Sequence, residues 1–138
     1  MRIFIFQPAL PEYRIDFFEK FNKKIKGKLK VFYSPSNLNR KIDNKERNFI
    51  WAFEVGKLIE FFPGIFWQKG ILKIDISEAD IVVVCGAPRN IATIFLLIKA
   101  KILGIKTIWW GHYWSATSKK IWHKLRMFIS NLSYSILF

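Results

Sequence analysis

ADIVVVCGAPRN, residues 79–90, decides how this chain folds. Its centre, Ile81–Cys85 (IVVVC), is an unbroken apolar run built around three valines and closed by Gly86. An alternating strand would leave one face polar; a continuous run means a strand buried on both faces, as in a parallel sheet covered by helices. Pro88 then suits the start of a helix, predicted over residues 89–103, and Gly104 stands where a left-handed cap closes it. Downstream the pattern repeats. Lys106–Trp110 (KTIWW) reads as a second buried strand ending at Gly111, residues 115–118 lead into a helix over 119–132, and residues 133–138 open another strand.

Upstream, RIFIF (residues 2–6) is β-branched and aromatic and reads as a buried strand. Gln7-Pro8-Ala9-Leu10-Pro11 breaks it, and Pro11 fits the first turn of a helix. Tyr13, Phe17, Phe18, Phe21 and Ile25 recur along that helix at helical spacing, and Gly27 stops it. Leu29–Tyr33 is a further strand, residues 34–48 are polar without periodicity and read as a loop, and residues 49–62 read as short strands with turns at Gly56 and Pro63-Gly64. Strand and helix alternate throughout. The expectation is a single α/β domain over residues 1–138, a Rossmann-like, mostly parallel sheet flanked by helices.

The net charge is +13, and it is unevenly spread. All ten acids fall within residues 1–80, whereas residues 81–138 carry eight Lys or Arg and no acid. Such a surface attracts polyanions: nucleic acid, anionic lipid or phosphate-bearing substrates. Compositional bias towards lysine is the competing reading. No helix-turn-helix, basic-region or aromatic RNA-binding pattern is present, which sets nucleic acid aside. No apolar run approaches the about 20 residues of a bilayer span, and no secretory leader is evident. Cys85 is the one cysteine, so an internal disulfide and a cysteine-based zinc site are excluded. A cytoplasmic location is expected, with peripheral attachment at the inner face of the membrane.

In open α/β sheets ligands bind beyond the carboxyl ends of the strands, near the reversal of strand order. That rule selects residues 7–14, 86–90 and 111–115. Arg14 lies in the first turn of its helix, beside its apolar face, and reads as a crevice residue or as a snorkelling side chain. Arg89 and Asn90 open the next helix, where free N–H groups favour anions. Gly111, His112 and Tyr113 follow the KTIWW strand, and His112 reads as a site residue or as a structural histidine. The dinucleotide fingerprint, the P-loop and the nucleophile elbow are all missing, and the two histidines have no nearby carboxylate to complete a metal site.

Three segments together resemble the N-terminal half of family 4 glycosyltransferases, which have the two-domain GT-B fold: P-x-Y-R-x-x-F-F (Pro11, Tyr13, Arg14, Phe17, Phe18), ADIVVVCGAPR (residues 79–89) and TIWWGHYWS (residues 107–115). The resemblance implies transfer of a sugar from a nucleotide-sugar to a hydroxyl acceptor, in surface-polysaccharide or glycolipid synthesis, without metal or other cofactor. It implies that His112 touches the transferred sugar as the catalytic residue, and that Arg14, Arg89, Asn90, Gly111 and Tyr113 hold substrate. The partners it implies are a sugar or lipid-linked acceptor and a C-terminal half that binds the nucleotide-sugar, separately encoded if the chain is one subunit of a split enzyme rather than a truncated gene or a gene fragment. The chain is accordingly expected to be a truncated enzyme, inactive alone. Many members carry a glycine-rich turn after the first strand; residues 7–11 contain no glycine, so no phosphate contact is expected from that turn. The alternative is a non-catalytic module docking to an anionic membrane or a partner chain. The last predicted helix favours it, with Lys119, Lys120, His123 and Lys124 on one face and Ile121, Trp122, Leu125, Phe128, Ile129 and Leu132 on the other.

Overall fold

The structure is a computed structural model that describes residues 1–35, 48–86, 88–111 and 120–137, the backbone alone for residues 120–123. Among the described residues six strands form one sheet in which every pairing is parallel: β1 (Ile3–Phe6), β2 (Leu29–Tyr33), β3 (Ala52–Glu54), β6 (Ile81–Cys85), β7 (Lys106–Trp110) and β8 (Ser135–Leu137). Their order across the sheet is β3-β2-β1-β6-β7-β8. The remaining two, β4 (Leu58–Phe62) and β5 (Ile65–Gln68), make a separate antiparallel hairpin. The helices are α1 (Ile15–Lys24), α2 (Ile91–Ile102) and α3 (Lys120–Ser130). This is the Rossmann-like α/β architecture expected from the sequence.

The period of two along each strand divides the core in two layers. Phe4, Phe6, Phe32, Val82, Val84 and Trp109 face one side, where Ala92, Leu96, Leu97 and Ala100 of α2 and Ile129 of α3 cover them. Ile3, Ile5, Val31 and Val83 face the other, under Phe18 of α1 and Trp51. The IVVVC run is apolar at every position because both of its faces meet a helix layer. The short helical turn Ile71–Lys73 and Ile76 complete the first layer, and Lys99 ties that segment to α2 by donating to the carbonyls of Leu72 and Ile74 at 3.0 and 2.8 Å.

Several expectations are corrected. The segment after Pro11 opens as a 3₁₀ turn, Glu12–Arg14, before α1 begins at Ile15. Three residues per turn shift Tyr13 out of the α-helical register and leave it exposed; within α1 Phe17 is half-exposed at the edge of the covered face, and Phe18 alone of the predicted stripe is sealed in the core. The helix after β6 starts at Ile91 with Asn90 as its N-cap, which puts Arg89 in the preceding turn rather than in the helix. In α3, Phe128 is exposed, against the predicted division of its faces, while Leu125, Ile129 and Leu132 pack on the sheet as predicted; Arg126, assigned to neither face, is buried. The cap at Gly104 is left-handed, as expected, with φ of 68°. The loop at residues 36–47 lies outside the described residues.

Candidate functional site

From β1 the chain moves outward to β2 and β3, then returns to the other flank of β1 at β6 and continues to β7 and β8. The order therefore reverses between β1 and β6, and the crevice beyond their carboxyl ends is where such sheets hold ligands. Four polar side chains from four separate segments meet there: Gln7, Arg14, Gln68 and Asn90.

Gln7 directly follows β1 and is 2% exposed. Its backbone N–H continues the ladder to the Phe32 carbonyl at 3.0 Å, and its side-chain Oε1 accepts from Arg14 Nη1 at 2.9 Å. Gln68, at the end of β5, is equally buried. Its Nε2 donates to the Gln7 carbonyl oxygen at 3.1 Å, while its Oε1 accepts from Asn90 Nδ2 at 3.1 Å. Asn90 makes no side-chain cap to α2 because its amide is turned inward to this chain of bonds.

The directions of these bonds are fixed by chemistry. A carbonyl oxygen only accepts, so the Gln68 atom facing Gln7 O is the amide nitrogen; its oxygen then faces Asn90, which must present a donor. A guanidinium only donates, so the Gln7 atom facing Arg14 is the oxygen. Two groups are left over: Gln7 Nε2, a donor, and Asn90 Oδ1, an acceptor. Both are buried and without a hydrogen-bond partner among the described residues. A third, the indole N–H of Trp109 on β7, lies beside Gly86. Buried polar groups are paired as a rule, and each exception asks for an explanation.

Arg14 spans from this network to the next strands. Its guanidinium carbon lies 4.7 Å from the centre of the Trp110 ring and 5.6 Å from that of Tyr13. Burial pushes the Cys85 thiol up, and the charge and hydrogen bond of Arg14 pull it partly back. Arg14→Met is therefore expected to move the inflection of Cys85 alkylation to higher pH, since the cation that favours thiolate is gone. An unmoved inflection in the pH–rate profile would separate the two groups.

Beyond β6 and β7 the backbones nearly touch. A β-carbon on Gly86 would lie 2.8 Å from the α-carbon of Gly111, and one on Gly111 would lie 2.8 Å from that of Gly86. Gly86 N–H donates to the Trp110 carbonyl at 2.6 Å and Gly111 N–H to that of Leu137 at 3.0 Å. Gly111 is thus a packing necessity as well as a strand end.

Of the residues singled out from sequence, Arg14 and Asn90 meet in one network through Gln7 and Gln68, and Gly111 borders it. Arg89 points elsewhere: its Nη1 lies 3.6 Å from where a β-carbon on Gly64 would stand, against the hairpin turn. His112 and Tyr113 lie outside the described residues. Gln7 and Gln68 were missed. Gln7 carried a signal, a polar residue directly after a buried strand; Gln68 carried none, because the strand before the Pro63-Gly64 turn was legible but the returning strand β5 that delivers it was not. Compared with known protein families, curated proteins and solved structures, the chain matches none.

Proposed function

We propose that this chain is the acceptor-side α/β domain of a sugar-transferring enzyme of the GT-B type, holding a hydroxyl-bearing substrate at the crevice between β1 and β6. One observation carries the reading: a buried amide donor on Gln7 and a buried amide acceptor on Asn90, linked through Gln68 and both unpartnered among the described residues. A hydroxyl is the simplest group that accepts from one and donates to the other. Neutral amides suit a neutral polyol, because a carboxylate would have nothing to give Asn90 Oδ1. Arg14 adds a positive charge at the edge of the site, suited to the phosphate of a lipid-linked acceptor or a nucleotide. In this scheme the amides orient the acceptor hydroxyl, the layers around Trp109 and Trp110 exclude water, and His112 orients or polarises the transferred sugar, as the resemblance implies.

The test is sugar binding by ligand-observed NMR with simple alkyl glycosides. Wild-type protein is expected to bind, and Gln7→Leu and Asn90→Leu variants that keep the native melting transition are expected to bind at least about tenfold more weakly, one hydrogen bond to a buried group being worth roughly that factor. Equal binding by all three proteins, or binding by none, removes the crevice as the acceptor site. With a nucleotide-sugar-binding half supplied as a second chain, His112→Ala is expected to lower kcat on the order of 10²-fold.

We further propose that the protein works peripherally at an anionic bilayer, where lipid-linked acceptors reside. The acid-free stretch 81–138 supports this. Among the described residues no helix is long and apolar enough to cross a membrane.

A further inference from the structure

On α3, the helix whose sequence suggested a membrane contact, Leu125, Ile129 and Leu132 pack on the sheet, while Phe128 is exposed. Exposed apolar surface is concentrated elsewhere. On the hairpin, Phe61 and Phe62 are 48% and 63% exposed and stand beside the Pro63-Gly64 turn. Ile59, Phe61 and Trp67 line an open depression of about 330 Å³. Trp67 meets Phe95 of α2 edge to face, ring centres 5.9 Å apart, and from Phe95 an outward stripe continues through Ile98 to Ile102, which is 79% exposed. The spacing of three and four residues puts all three on the face opposite Ala92, Leu96 and Ala100.

We infer that this surface, the β4–β5 hairpin with the outer stripe of α2, is where the protein docks on an anionic lipid bilayer. The inference rests on the peripheral-membrane reading above and names the contact it uses. Charge selects the occupant. The chain carries +13 overall, and the guanidinium of Arg89 lies at the hairpin turn itself. Lys57 and Lys69 are exposed at the hairpin base and Lys101 is exposed on α2. The hairpin's one acid near the tip, Glu60, is engaged by the Gly64 N–H at 2.6 Å. Aromatic and aliphatic side chains with a basic collar match the boundary between acyl chains and anionic headgroups, where rings insert and long cations stay at the phosphates.

Co-sedimentation of the full chain with vesicles of phosphatidylcholine alone, or mixed with phosphatidylglycerol, tests this at low and high salt. Wild type is expected to partition onto the mixed vesicles and to be released by salt, as screening shortens the reach of its charges. The double variant F61S/F62S is expected to bind at least about tenfold more weakly, as is I98S/I102S, since each removes two exposed apolar side chains. Phe128→Ser, exposed on α3, is expected to bind as wild type does. These positions are solvent-exposed, so the variants should fold, and circular dichroism checks that they do. If wild type binds and the hairpin and stripe variants bind equally well, the docking surface is wrong while the peripheral reading stands. If wild type binds neither vesicle, or binds both alike, the peripheral reading falls and this inference with it. A dimer in size-exclusion chromatography that F61S/F62S dissolves would make a second copy the occupant and overturn the proposal.

Discussion

Replacing Gln68 with leucine is expected to lower folding stability by about 2–5 kcal/mol, because it strands two buried groups at once, each worth roughly 1–3 kcal/mol when left unmade. The Gln7 carbonyl loses its donor and Asn90 Nδ2 loses its acceptor. Leucine matches glutamine closely in size, so the cost reads the hydrogen bonds rather than a cavity. Equilibrium urea unfolding measures it, with the denaturant slope unchanged if the two-state transition is preserved. The double variant Gln68→Leu/Asn90→Leu should cost less than the sum of the single changes, since the second substitution removes a group the first had already orphaned. A loss below about 1 kcal/mol for Gln68→Leu would mean that water replaces the amide, and the crevice would then be wet enough to satisfy Gln7 Nε2 and Asn90 Oδ1 without a substrate.

That network shows where sequence reasoning reaches and where it stops. The strands β1 and β6 were legible because burial on both faces forces uninterrupted apolar runs, β2 and β7 because they are rich in β-branched and aromatic residues, and all four end at polar or glycine residues that punctuate them. The carboxyl-end rule then led to Arg14, Asn90 and Gly111. It could not lead to Gln68. IFWQ (residues 65–68) is too short to show a period, and in its partner LIEFF the ladder is irregular between Glu60 and Phe62, which breaks the alternation and leaves the consecutive Phe61 and Phe62 both exposed. What makes Gln68 matter is a bond to a residue 61 positions away, and such a contact leaves no local trace. The faces of α1 and α3 were misjudged at Tyr13 and Phe128 for a related reason. Periodicity tells which residues share a side, whereas the 3₁₀ turn before α1 and the seating of α3 on the sheet set how much of that side is covered. On α3, Leu125, Ile129 and Leu132 pack into the core, whereas Phe95, Ile98 and Ile102 on the outer side of α2 are exposed.

Gly86→Ala is expected to lower the melting temperature by about 5–15 °C, although it adds a single methyl group. The added carbon would lie 2.7 Å from Trp109 Nε1, 3.0 Å from Trp109 Cε2 and 2.8 Å from the α-carbon of Gly111. None of these atoms can yield cheaply. Trp109 is wholly buried between the sheet and α2, and Gly111 is held by its N–H bond to Leu137. Overpacking a dense site costs about 1–3 kcal/mol, and at this chain length each kcal/mol corresponds to roughly 3–6 °C. Relief would require β6 and β7 to part at their carboxyl ends, breaking the 2.6 Å bond from Gly86 N–H to the Trp110 carbonyl and widening the mouth of the crevice. Gly104→Ala provides the comparison. Gly104 has φ of 68° with open space around its α-carbon, so alanine there meets only backbone strain of about 1 kcal/mol. Scanning calorimetry on the two variants separates steric contact from conformational preference. Should Gly86→Ala melt no lower than Gly104→Ala, the strand ends have room to open, and the close approach of Gly86 and Gly111 would not be what shapes the floor of the site.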